Sequence, residues 1–483
     1  SDSGDKSKIS EEQAGELEKE GLAGENFSGE LGRISKEVVR VYPHGAAFVH
    51  VLGYTSKVQE EDVVANPSLS DKEFVGRLGI EETYDQVLRG VNGKKIIEVD
   101  ASGKTISILG NTSSVDGQDI YLTIDMDLQK KSYEAMKGSL ADWEKVSDES
   151  TENSANQKPT SGALVITDPN NGDVLALMSF PSFDPADMGD AITNENQPFF
   201  NRVVSGSYPP GSVFKITSAL SGLESGKITK DTEIEDVGVF ELGGVRFPNW
   251  FFLKNGGKDG VIKIDRAIAR SNDIFFFKLG ESVGLEQLRK WALAMGYGKK
   301  TGIDLPNEAF GIVPDEDWKI HNWGDSWYLG DTMHLAIGQG FMVVTPLQVN
   351  VMTSYIANGG KRIVPHVVSK VESAGGALDV FESSTQGSAD GANLELIRSG
   401  MKQACQAKGT AWPFFESSYE VFCKTGTAEK EQGNPHAWFT AFTPAGFPQV
   451  AITVMIENGG EGSSVAAPVA KDILDWLYQK HKS

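Results

Sequence analysis

Only two of the 483 residues are cysteine and seven are histidine. Two thiols cannot build a disulfide scaffold or a Cys-rich zinc module, and neither C-x-x-C nor H-E-x-x-H occurs, so no metal or other cofactor is expected. Positive charge is scarce as well: 45 Lys and Arg stand against 67 Asp and Glu, a formal charge of −22. Such a field repels phosphate backbones and anionic lipid surfaces, so no nucleic-acid partner is expected and an anionic substrate must be met by local groups. No apolar run approaches the roughly 18 residues of a spanning helix; the strongest, Ile274 to Leu279, is short and contains Lys278. The chain therefore reads as a soluble polypeptide, and because it begins at Ser1 rather than Met a leading segment is expected to have been removed.

What is present fits a mixed globular protein. Hydrophobic residues make up 39% and charged residues 23%, and 53 Gly with 19 Pro imply many turns. At roughly 150 residues per domain, two or three domains are expected. Residues 1–31 are rich in Glu, Gly, Lys and Ser and read as an acidic solvated tail with at most a weak helix. Residues 32–117 hold short Val- and Ile-bearing segments, Val38 to Tyr54 and Lys94 to Ile108, which read as strands of a modest module. From residue 118 to 483 the pattern belongs to a larger domain. Ile120, Leu122 and Ile124 alternate as a strand, and Leu128, Ala135, Met136 and Leu140 follow at helical spacing. Val146 to Thr160 reads as a polar surface loop. Ala163 to Thr167 and Asp173 to Met178 flank a turn cluster, Ala437 to Phe442 and Gln449 to Ile456 repeat the pattern, and Val469, Ile473, Trp476 and Leu477 mark a closing amphipathic helix. Strands at both ends with helical sequence between them give an α+β fold, an antiparallel sheet covered by helices.

Three short motifs carry candidate chemistry. In Tyr208-Pro209-Pro210-Gly211-Ser212-Val213-Phe214-Lys215 the prolines suit a helix start, which places Ser212 in a first turn whose free N–H groups favour a developing alkoxide. Lys215, three residues on, lies on the same face, and a lysine desolvated beside apolar groups and another cation can serve as the base that a serine nucleophile needs. Farther on, Arg270-Ser271-Asn272-Asp273 runs into an apolar helix. Ser271 can relay a proton to a leaving amine and the Asp273 carboxylate can hold Lys215. In Cys423-Lys424-Thr425-Gly426-Thr427, Lys424, Thr425 and Thr427 can bind a carboxylate, Gly426 leaves room for a ligand lying along the strand, and the N–H groups of Ser212 and Thr427 can form an oxyanion hole. Taken singly, each motif also reads as a helix cap or an ordinary strand.

Together and in this order, Ser-x-x-Lys, Ser-x-Asp and Lys-Thr-Gly resemble the penicillin-binding proteins and serine β-lactamases. Gly330-Asp331-Thr332, Ala336-Ile337-Gly338-Gln339-Gly340, Thr345-Pro346-Leu347-Gln348 and His436-Ala437-Trp438-Phe439 resemble class B transpeptidases of the elongation type. Arg40-Val41-Tyr42-Pro43, His50-Val51-Leu52-Gly53-Tyr54 and Gly79-Ile80-Glu81 with Tyr84 resemble that class's mainly β N-terminal pedestal, or dimerisation, module. The resemblance implies a D,D-transpeptidase that cross-links peptidoglycan stem peptides through a Ser212 acyl-enzyme and is acylated by β-lactam antibiotics. It also implies a membrane glycosyltransferase partner in the elongation machinery, and a place on the outer face of the bacterial cytoplasmic membrane, held by an N-terminal helix that these residues do not include. The −22 charge then says little about the substrate, whose carboxylate falls to Lys424, Thr425 and Thr427. Most relatives have Asn where Asp273 stands. Some relatives bind a metal near the site, but no His/Cys/Asp cluster here supports one.

Other readings remain at this level. Water as acyl acceptor would make the chain a D,D-carboxypeptidase or a β-lactamase, although the large N-terminal module argues against the latter, and a domain that binds β-lactams covalently without turnover would be a scaffold or sensor. Cys405 and Cys423 either pair or stay as two buried thiols. Trp323, Trp327 and Tyr328 line the cleft or anchor loops, and His334 and His436 have no acid partner in sequence.

Overall fold

The computed structural model describes residues 40–67, 69–70, 73–149, 159–372, 389–430, 432–444 and 449–482, with the strands Glu25–Glu30, Arg33–Val38 and Leu378–Val380. Two compact units result, Ser1–Gly45 and Ala46–Ser483. In the first, Glu25–Glu30 pairs antiparallel with Arg33–Val38, so part of the stretch read as a tail is strand. The weak helix expected before residue 25 lies outside the described residues.

The second unit is organised by a five-stranded antiparallel sheet built from β1 (Gly162–Thr167), β2 (Val174–Phe180), β3 (Phe422–Ala428), β4 (His436–Phe442) and β5 (Ala451–Ile456), in the order β3-β4-β5-β1-β2. This is the antiparallel sheet expected from strands at both ends of the larger domain. Both faces of it are buried. Leu164 and Ile166 on β1, with Ile452, Val454, Ala437 and Phe439, pack in one core with the helices α1 (Met126–Glu149) and α7 (Ala466–Lys482). Ala163 and Val165, with Met455, Trp438 and Phe442, belong to the other core, shared with α2 (Lys215–Glu224), α4 (Asp273–Ala294) and α5 (Pro346–Ala357). Period-two alternation sorts the side chains between two apolar layers rather than between core and water, so these strands read as continuous hydrophobic runs.

Local signals place the helices. Thr345 caps α5 and makes a capping box with Gln348, with Pro346 at the first helical position. Asn272 caps α4, accepting from the Phe275 N–H at 2.9 Å. On α7, Val469, Ile473 and Leu477 are buried as the spacing predicts, while Leu474 takes the buried place expected of Trp476, which is half-buried.

Other elements differ from expectation. Val49–Leu52 is a helical turn, not a strand, because it packs on the helix Gly79–Thr83 with Val49, His50 and Val51 all buried, a two-sided burial that overrides strand propensity. α1 continues to Glu149 through the first part of the expected surface loop; residues 150–158 lie outside the described residues. The strands Lys94–Val99 and Thr105–Thr112 pair as an antiparallel hairpin where short strands were expected, and Asp119–Leu122 pairs with Val368–Glu372. Among the described residues no helix is long and apolar enough to cross a membrane.

Candidate active site

Three chain segments far apart in sequence meet at the edge strand β3. The nucleophile candidate Ser212 stands in a 3-10 turn, Gly211–Phe214, that leads directly into α2; it precedes the α-helix rather than opening it. Gly211 has φ of 54°, and a Cβ there would lie 2.7 Å from the Thr427 carbonyl oxygen, so only glycine lets the turn lie backbone to backbone against β3. The turn is held by the Gly211 N–H on the Gly338 carbonyl (2.8 Å) and the Trp438 indole N–H on the Pro209 carbonyl (3.0 Å). Ser212 is half-buried.

Lys215 is fully buried, and its Nζ donates to Asp273 Oδ1 (2.5 Å), to the Ser271 carbonyl (2.8 Å) and, at 3.4 Å, to Ser271 Oγ. Lys424 is equally buried and donates to Ser271 Oγ (2.8 Å) and to the Thr425 carbonyl (2.8 Å). Ser271 thus sits between two lysine ammonium positions. Its backbone is left-handed, φ 51°, as the joint between α3 (Ile264–Arg270) and α4, a conformation that is unfavourable for serine and persists because the flanking helices and both lysines fix it. Among the described residues no hydrogen bond joins Lys215 Nζ to Ser212 Oγ; in this state the amine is turned to Asp273 and Ser271.

The electrostatics follow from burial. Desolvation pushes the Lys215 amine below the ordinary lysine value, and the adjacent Asp273 carboxylate partly opposes this. Lys424 is driven well below it, first by burial and then by repulsion from Lys215, against the weaker pull of Asp273. One carboxylate beside two buried amines favours a neutral amine in the pair, which is the form a general base requires.

On β3, alternation gives the candidate residues different surroundings. Lys424 reaches the Ser271 side, whereas Thr425 donates its hydroxyl hydrogen to Thr410 Oγ1 at 2.8 Å and Thr427 is exposed. Gly426 also carries a packing demand: a Cβ there would meet Trp438 Cβ at 2.9 Å and Val213 Cγ1 at 3.0 Å, so glycine lets the strand pack closely on the Gly211–Phe214 turn.

Sequence reasoning missed the shell behind Asp273. Asp273 Oδ2 accepts from the Trp250 N–H (2.9 Å), and the Trp250 indole donates to the Arg270 carbonyl (3.0 Å). Asn249 Oδ1 accepts from the Asp273 N–H (3.3 Å) while its Nδ2 donates to Asp236 (2.8 Å). The buried Asp236 carboxylate also accepts from Gly238, Asp259 and Asn272. A Pro-Asn pair ahead of an aromatic run was the only signal, and it reads as a helix cap. Among the described residues no group of three or more His, Cys, Asp or Glu side chains is placed to hold a metal ion.

The remaining candidates are structural in their contacts. Trp323 and Trp327 pack on Phe341, and the Trp327 indole donates to Thr332. His334 lies against Phe247 with its pKa lowered by burial, and burial lowers His436 to about 4. Cys405 and Cys423 are joined in a disulfide with Cα atoms 5.9 Å apart, which ties the C-terminal end of α6 (Gly391–Ala404) to the residue before Lys424.

Comparison with known proteins adds independent findings. Residues 162–475 match the penicillin binding protein transpeptidase domain, and residues 5–122 the penicillin-binding protein dimerisation domain. The peptidoglycan D,D-transpeptidase MrdA of Acinetobacter baumannii is 32% identical over 482 residues, covering 93% of this chain and 68% of that protein. The penicillin-binding protein PBP2 of Helicobacter pylori, solved in complex with MreC, superposes with a TM-score of 0.77 at 31% identity, covering 92% of this chain and 79% of that one. A chain from a peptidoglycan synthase complex that coordinates polymerization and crosslinking gives 0.81 at 28% identity, covering 97% and 80%.

Proposed function

The chain belongs to the penicillin-binding protein transpeptidase family, and from that premise we infer that it is a serine D,D-transpeptidase that cross-links peptidoglycan stem peptides and is acylated by β-lactams. The observation that carries the residue roles is the convergence of Lys215 and Lys424 on the Ser271 hydroxyl, within 3.4 Å, beside the Ser212 turn. Ser212 Oγ attacks the carbonyl between the two terminal D-alanines. Its proton passes to the neutral Lys215 amine, which turns from Asp273 as the substrate seats. The tetrahedral oxyanion is met by the Ser212 and Thr427 N–H groups, which the contact between Gly211 and Thr427 keeps side by side. Collapse expels D-alanine, whose amine takes its proton from the Ser271 hydroxyl, and Ser271 is re-supplied by the lysine pair. An amine on a neighbouring stem peptide then attacks the acyl-enzyme, and the same groups run in reverse.

The substrate carboxylate falls to the Thr425 and Thr427 hydroxyls. Lys424, which expectation placed with them, is buried and bonded to Ser271, so it acts as an orienting donor to the Ser271 hydroxyl rather than as a direct partner of that carboxylate. Residues 32–117 serve as the pedestal module and 118–483 as the catalytic domain. The disulfide suits an oxidising compartment outside the cytoplasm, at the outer face of the membrane where nascent wall is made. The relatives solved with MreC and within a synthase complex support partners of the elongation machinery, among them a membrane glycosyltransferase.

The test is incubation with nascent pentapeptide glycan supplied by a polymerase, followed by muropeptide analysis. Cross-linked dimers that vanish in Ser212→Ala are expected. Tetrapeptide monomers in place of dimers would make the chain a carboxypeptidase, and a β-lactam adduct without either product would make it a scaffold.

A further inference from the structure

The Thr425 hydroxyl has a neighbour that neither the sequence nor the family match assigns a role. Thr410 lies on the loop that follows α6, and its Oγ1 is 2.8 Å from Thr425 Oγ1. That loop is fixed at several points. The Cys405–Cys423 disulfide closes it onto β3, the Ala411 N–H donates to the Ala404 carbonyl (2.9 Å) and the Gly409 N–H to the Gln406 carbonyl (2.8 Å). Arg270, the residue before Ser271, donates to the Lys408 carbonyl at 3.4 Å and is held by Asp259 at 2.9 Å. One short loop therefore bridges the Ser-x-Asp joint and the Lys-Thr-Gly strand, and Thr410 is its point of contact with the carboxylate-binding hydroxyls.

We propose that Thr410 is a positioning residue for recognition of the substrate's terminal carboxylate, acting through Thr425. In the state seen here Thr425 donates its hydrogen to Thr410. A bound carboxylate accepts only, so Thr425 must turn its hydrogen outward, which leaves its oxygen in need of a donor. Thr410 is placed to reverse the bond. Its own hydroxyl hydrogen then goes to Thr425 Oγ1, and a chain runs from Thr410 through Thr425 to the carboxylate. Each donor in such a chain polarises the next, and the rigid loop keeps the acceptor of the resting state from moving away when it becomes the donor. No bond is made or broken beyond hydrogen bonds.

The inference rests on Thr425 binding the carboxylate, and the experiment separates the two. Second-order acylation rates are measured with benzylpenicillin, which carries the carboxylate, and with its methyl ester, which does not, for wild type, Thr410→Val, Thr410→Ser and Thr425→Val. Thr410→Val is expected to lower the rate with benzylpenicillin about tenfold and leave that with the ester near wild type, while Thr410→Ser restores the acid rate. If Thr410→Val melts at the assay temperature, Thr410→Ala takes its place. Equal losses for acid and ester, or no loss, overturn the proposal when Thr425→Val still shows the acid-specific defect. If Thr425→Val shows none either, the carboxylate role of Thr425 is wrong and the proposal falls with it.

Discussion

Replacing Asp273 by Asn tests the electrostatic logic of the site, because the change keeps shape and removes one charge. Asp273 receives hydrogen bonds from two donors, Lys215 Nζ at 2.5 Å and the Trp250 N–H at 2.9 Å. An acceptor-only carboxylate satisfies both, whereas an amide must turn its NH2 toward one of them. Coulomb's law at an effective dielectric of about 20 gives roughly 6 to 7 kcal/mol for unit charges at the observed separation. The carboxylate divides its charge over two oxygens and Oδ2 is engaged elsewhere, so only part of this acts on Lys215. The sign is fixed: Asp273 raises the Lys215 value against burial, so its loss lowers that value further. The acidic limb of the acylation rate, set by the free amine, should move to lower pH in Asp273→Asn. The plateau should fall roughly ten- to a hundredfold, from one unsatisfied buried donor and a weaker base. Fluorescent penicillin acylation from pH 5 to 9 reads both. A limb that stays in place or moves up would refute the assignment of Lys215 as the base held by Asp273.

Other outcomes follow from single features. The Cys405–Cys423 bridge closes a loop of 18 residues, so Cys405→Ser with Cys423→Ser should cost about 3 kcal/mol in urea unfolding; an unchanged midpoint would show that the bridge does not constrain the chain. His50 is buried, its Nε2 bonded to the Pro198 carbonyl at 2.7 Å, and desolvation lowers its pKa from 6.5 to about 4. The unfolded chain binds this proton first as pH falls below 6.5, so stability should drop by about 2 kcal/mol between pH 7.5 and pH 5 from this group. His50→Gln should flatten that part of the profile; a slope equal to wild type would refute it.

The candidate site residues were legible because they sit at a helix approach, a helix cap and along a strand, places that leave strong local signals. The prolines and glycine before Ser212, the polar triplet before Ile274 and the lysine ahead of Thr425 and Gly426 each mark such a place. The five strands were legible as apolar runs, but their order in the sheet was not, since pairing between β5 and β1 depends on contacts almost 300 residues apart. Asp236, Asn249 and Trp250 were invisible because they act through backbone groups and through each other, and no spacing rule connects them to Asp273. The packing demand at Gly426 was hidden because the position is seen to face Val213 and Trp438 only once the neighbouring strand and turn are known. Val49–Leu52 was misjudged because burial on both sides, not propensity, decided its form.

The central claim is that Ser212 is the acylated nucleophile. Wild-type protein incubated with benzylpenicillin, digested and mapped by mass spectrometry should carry one adduct on the peptide containing Ser212, and Ser212→Ala, folded to the same thermal midpoint, should carry none. An adduct on another residue, or equal labelling of the variant, would contradict it.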